Sequence, residues 1–117
     1  MKKYVNNYWP GNYIIIESPY QGEIERNILY ARRCMRDSIH NGEWPFASHL
    51  LYTQEGILND SIPIEREIGL VCCEMWSRKA DVIVFYIDYG MSDGMKRAEE
   101  AAITNGRTIV FRKIGRK

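Results

Sequence analysis

Two short runs in this chain, Tyr13-Ile14-Ile15-Ile16 and Val82-Ile83-Val84-Phe85-Tyr86-Ile87, are apolar at every position. A strand with one face in water alternates apolar and polar side chains, so short unbroken runs point to strands covered on both faces. Strands of that kind belong to parallel sheets sandwiched between helices. Helical spacing follows. Ile24, Ile28, Ala31, Met35 and Ile39 form one apolar stripe, and Asn41-Gly42 ends that helix with residues tolerant of left-handed geometry. A second helix carries Ile64, Ile68, Val71 and Met75 and ends around Lys79, with Pro63 in its first turn and Ser61 or Asp60 as its cap. A third runs from about Asp93 to Asn105, capped by Ser92 and stopped by Gly106.

Trp44-Pro45-Phe46-Ala47 and Thr108-Ile109-Val110-Phe111 read as shorter strands, Pro45 being permitted near a strand's start. Ser48 to Tyr52 continue from the first of these, and Thr53 to Ile62 reads as a surface loop rich in turn residues. The order is β-α-β-α-β-α-β. Right-handed crossovers then predict an α/β fold: a single Rossmann- or flavodoxin-like three-layer domain with a mainly parallel four-stranded sheet. The order 2-1-3-4 is expected because it puts a switch point between the first and third strands. Within a single domain over 1–117, residues 12–114 form the α/β core. Residues 1–11 are an aromatic extension bearing Tyr4, Tyr8 and Trp9, and 115–117 a tail.

Composition narrows the function classes. A net charge of +1 over 117 residues leaves no positive excess for phosphate neutralisation, which argues against a nucleic-acid partner. The basic end, Arg112 to Lys117, reads as a solvated terminus. No run approaches the ~18 apolar residues of a membrane span. Met1-Lys2-Lys3-Tyr4 leads into Asn6 and Asn7 rather than an apolar signal core, so a cytoplasmic protein without a membrane partner is expected. Cys34, Cys72 and Cys73 are odd in number and two are adjacent, which suits buried free thiols. Two histidines without Cys-x-x-Cys or His-x-x-x-His spacing predict no metal site, and no cofactor is expected.

Open α/β sheets bind ligands beyond the carboxyl ends of their strands. Three loops converge there. The first offers Ser18, Pro19, Tyr20 and Arg26, the second Ser48 and His49, the third Asp88, Ser92 and Gly94. Donors, an aromatic face and a cation around a crevice suit a nucleoside, a sugar or a phosphate-bearing ligand. Structural duties are open to the same residues. Ser18 suits a turn cap, Arg26 an ion pair with Glu23, Asp88 an Asx turn, and Glu65 and Glu67 the dipole of a helix start.

The motifs Ser18-Pro19-Tyr20-x-Gly22-x-Ile24-Glu25-Arg26-Asn27, Pro45-x-Ala47-x-His49-Leu50-Leu51, Glu67-x-Gly69-Leu70 and Ser92-x-Gly94-Met95-Lys96 occur in that order. Together they resemble the small nucleoside 2-deoxyribosyltransferase-like domains of bacteria and their phages, over about Tyr13 to Ile114. The resemblance implies a nucleoside in the edge crevice, Met95 among the binding residues, and pairing of subunits into a homo-oligomer. It also implies a nucleophilic Glu four residues beyond Gly94, with an aspartate at the third strand's end assisting.

The chain has Ala98 at that position. Double displacement at an anomeric carbon needs a carboxylate, which alanine lacks. Glu99 is one step further on, ~100° around the helix axis. Ala98 and Ala102 share a face suited to close packing. The expectation is therefore a protein that binds a nucleoside- or nucleotide-derived molecule without turnover, such as an ADP-ribose-type or cyclic nucleotide signal held out of circulation. In a phage-encoded protein this would take place in the host cytoplasm. The alternatives are an N-glycosidase or deoxyribosyltransferase using Asp88 or Glu99, and a protein-interaction module docking through Tyr4, Tyr8 and Trp9.

Overall fold

The structure is a computed structural model that describes residues 11–115. The aromatic extension with Tyr4, Tyr8 and Trp9 lies outside the described residues, Gly11 apart, as does the tail from 116. In order, the elements are β1 (Tyr13–Glu17), α1 (Ile24–His40), β2 (Trp44–Phe46), α2 (Ser48–Leu51), α3 (Pro63–Ser77), β3 (Val82–Tyr86), α4 (Asp93–Thr104) and β4 (Ile109–Arg112). All four strands are parallel, in the order β2-β1-β3-β4, as expected. Register pairs Ile15 with Phe46 on one side and Ile83 on the other, and Val84 with Val110.

Strand alternation divides the core in two. Ile14, Ile16, Val84 and Tyr86 pack with Tyr30 and Cys34 of α1 on one face. Ile15, Ile83 and Phe85 pack with Met95 and Ala102 of α4 on the other. Both faces of β1 and β3 are buried, which is why their sequences never alternate.

The helix faces differ from the sequence reading. In α1 the buried residues are Asn27, Tyr30, Ala31, Cys34 and Ser38, while Ile24 is exposed. The buried face has rotated towards polar residues, and the reason is hydrogen bonding. Asn27 Nδ2 donates to the carbonyls of Tyr20 and Gln21 at 2.9 and 3.1 Å, and the Tyr30 hydroxyl donates to Asp88. Gly42 has φ +82°, the left-handed position expected just beyond the helix end.

The larger departure is in α3. Ile64, Ile68, Val71 and Met75 are 65, 45, 40 and 44% exposed, so this seam faces outward rather than into the core. The inward side of the helix is Arg66, Gly69, Leu70 and Cys73, which wall a cavity, and Cys73 also packs against the core on the Ile15 face of the sheet. Neither Asp60 nor Ser61 caps the helix. Ile62 holds the cap position without a side-chain bond, Ser61 turns back on Asn59 Oδ1, and Asp60 accepts from Gln21 Nε2 at 3.0 Å. Cys34 is buried as anticipated, whereas Cys72 and Cys73 are only partly so, and all three are free thiols.

Candidate functional site

A cavity of about 260 Å³ lies at the carboxyl end of β1, between α2, α3 and the start of α4. β1 delivers Glu17 and Ser18 to its floor, the turn after them brings Tyr20 and Gln21, and α2 brings Ser48 and His49. Asn27 fixes the turn through the two carbonyls that it bonds. Ser92 accepts the backbone N–H of Met95 at 3.2 Å, as an amino-terminal cap should, and this opens α4 towards the cavity at Gly94. A broad open groove lined by Ile24, Ile57 and Ile62 adjoins the cavity through Tyr20, Gln21, Thr53 and Asp60.

Ser18 Oγ lies 2.7 Å from His49 Nε2. Burial pulls the imidazole down to about 4, so it is neutral near pH 7 and forms with Ser18 an uncharged donor–acceptor pair. Glu17 is 8% exposed, and the Cys73 thiol donates to its Oε2 at 2.9 Å. Burial pushes this carboxyl up to about 7 against the lowering effect of that bond, and the neighbouring Glu74 adds repulsion. Burial and Glu17 also hold the Cys73 thiol well above its ordinary range, so it is no thiolate nucleophile.

The positive side is Arg66, 3.9 Å from Asp60, together with the free N–H groups of the α4 start. A Cβ at Gly94 would come 3.7 Å from Arg66 Nη2 and 4.0 Å from Ser92 Oγ, ordinary contacts, so the glycine leaves about a methyl group's worth of space beside them. Among the described residues no cluster of three metal-ligating side chains occurs.

A family described as "Domain of unknown function (DUF7768)" matches residues 12–112. The chain belongs to that family. Searches of curated proteins and of solved structures each returned no match. The DUF7768 description assigns no activity, so chemistry has to be argued from the cavity itself.

In this DUF7768 domain the sequence-derived candidates separate into two groups. Ser18, Tyr20, Ser48, His49, Ser92, Gly94 and Met95 share the cavity wall. Pro19 is buried beside them without lining it, and Arg26 and Asp88 are elsewhere. Arg26 stacks 4.0 Å over the Tyr89 ring and donates to Asn27 Oδ1 at 3.2 and 2.9 Å, rather than pairing with Glu23. The Asp88 carboxylate accepts from Tyr30 and, at 3.0 Å each, from the backbone of Ile114 and Gly115. Burial would raise its pKa, but these bonds hold it below the usual carboxylate range. It ties the carboxyl end of β3 to α1 and to the segment after β4.

Ala98 packs at the edge of the α4-side core, and Glu99 is not in the cavity wall. Glu67 forms a two-pronged pair with Arg97 at 2.7 Å, and Glu65 accepts from the Asn59 backbone. Sequence reasoning passed over Glu17, Arg66 and Cys73. The signal for Glu17 was there: it shares strand parity with Ile15 and so had to point into a covered face.

Proposed function

We propose that this domain binds one nucleoside- or nucleotide-derived small molecule in the β1–α3–α4 cavity and leaves it chemically intact. The observation that carries the reading is the cavity's composition. It combines an uncharged Ser18–His49 pair, the Tyr20 ring, and a single arginine facing the start of α4. Pockets for small molecules are mostly apolar with a few placed polar groups, at ~300–1,000 Å³, and the α/β switch point is a preferred place for them. At about 260 Å³ the cavity suits one nucleoside unit. A larger ADP-ribose-type ligand would extend into the adjoining groove. Arg66 and the helix start suit a single phosphate. Absence of turnover is supported by Ala98, and by Asp88 being committed to three hydrogen bonds away from the cavity. The motif resemblance supports the same ligand class, and the exposed α3 seam supports self-association of the chain.

Calorimetric titration against nucleosides, cyclic dinucleotides and ADP-ribose tests this, with saturable binding expected for at least one. Chromatography after long incubation should recover the ligand intact. Absence of any binding overturns the reading, and release of free base overturns the claim of no turnover.

A further inference from the structure

Glu17 is the group in the cavity least explained by folding. Its side chain enters the face that also holds Ile15, Phe85 and Met95, where an apolar residue would satisfy the core. Its partner among the described residues is a thiol, a weak donor, on one carboxyl oxygen. Among the described residues no cation pairs with it. Arg97 is committed to Glu67 and Glu74 at 2.7 and 3.0 Å. Arg66 reaches Asp60, and Arg107 of the neighbouring crevice donates to the Ala80 carbonyl. Among the described residues the remaining titratable groups that share its cavity or that crevice are Cys73 and Glu74 of α3, Arg78 at its end, Asp93 of α4, His49 of α2, and Tyr20 and Tyr52.

A carboxyl so placed is held mostly as the neutral acid below pH 7, and a neutral acid has one O–H to donate. With Cys73 donating to Oε2, the acid proton belongs on the other oxygen, which has no hydrogen-bond partner among the described residues. That oxygen is not sealed from the cavity, so a strong acceptor on a ligand can reach it and pair with the donor once the site is closed to solvent. We propose that Glu17 is the cavity's neutral hydrogen-bond donor, and that it selects ligands presenting an uncharged acceptor, such as a nucleobase ring nitrogen or carbonyl, at the floor. The inference rests on the nucleoside reading above and adds the residue that recognises the base. His49 is already neutral across the range tested below, which leaves Glu17 to set the pH response.

Wild-type, E17Q and E17L proteins would be titrated calorimetrically with adenosine and with cytidine, at about pH 6 and about pH 8.5. Neither nucleoside changes charge between these values. The wild type should bind roughly tenfold or more weakly at the higher pH, because the donor proton has been lost. E17Q should bind equally at both, since its amide donates throughout, and E17L should lose roughly tenfold at the lower pH. Equal wild-type affinity at the two pH values overturns the role of Glu17 while leaving the nucleoside reading in place. So does tighter binding at the higher pH, or wild-type affinity in E17L. Failure of both nucleosides to bind the wild type at either pH overturns the proposal together with the base-binding role of the cavity. Should E17L not fold, the wild-type and E17Q comparison decides alone.

Discussion

At the scale of single residues, the site is set by groups whose duties the chain's composition does not announce. Gly94 has ordinary backbone geometry, so its value lies in the space it leaves beside Arg66. Gly94→Ala should leave the fold intact, raising stability by up to about 1 kcal/mol through helix propensity. It should weaken ligand binding severalfold, because the methyl, in ordinary contact with Arg66 and Ser92, takes up cavity space that a ligand would fill; thermal unfolding and calorimetry together separate the two effects. Asn27 is 1% exposed and bonds two turn carbonyls. Asn27→Ala orphans both and should cost about 1–3 kcal/mol by denaturant unfolding, with ligand affinity falling as well. Ser18, Tyr20 and His49 were legible in the sequence because strand ends followed by turn residues mark the crevice. Arg66 was less so, since an arginine on an amphipathic helix ordinarily faces water, and Glu17 was legible only through its strand parity with Ile15. Asp88 shows the converse. Its position at a strand end is that of a catalytic group, yet its surroundings make it a structural clamp.

Elements differ in how well their patterns foretold their packing. β1 and β3 had to be central strands, because nothing else buries unbroken apolar runs on both faces. The α3 stripe is as regular as any in the chain, yet it points away from the sheet. The cavity side of that helix needs Arg66, Gly69 and Cys73, and a helix cannot present both sets inward. Ile68→Lys should therefore change stability only slightly, within about 0.5 kcal/mol, as befits a surface position. A core isoleucine replaced in the same way would unfold the domain. If chains associate through this seam, as the proposed function includes, sedimentation velocity should show the variant shifted towards monomer while its Tm holds.

The whole molecule's response to pH joins two groups on opposite sides of one cavity. Glu17 has a folded pKa of about 7, above its unfolded value of 4.5. Its contribution is thus fully present below pH 4.5 and is lost as pH rises towards 7, by about 3 kcal/mol. His49 has a folded pKa of about 4, below its unfolded value of 6.5. Its contribution is present above pH 6.5 and is lost as pH falls towards 4, by a similar amount. The two slopes oppose each other over nearly the same window. Wild-type stability should therefore be nearly flat between about pH 4.5 and 6.5. Glu17→Gln should show stability rising with pH across that window, and His49→Gln should show it falling; chemical denaturation at a series of pH values reads both directly. Among the described residues no helix is long and apolar enough to cross a membrane, which agrees with the reading of the composition.

Sequence alone determined the architecture, because strand burial, helix periodicity and right-handed crossovers leave few ways to arrange four alternating units. It also determined which strand ends meet at the carboxyl edge of the sheet. Tertiary structure decided which side of α3 faces inward, which carboxylate is spent on structure, and which is stranded in the cavity. Those outcomes depend on partners 56 to 58 residues apart, such as Cys73 with Glu17 and Tyr30 with Asp88. Local patterns carry no record of pairings made at that separation.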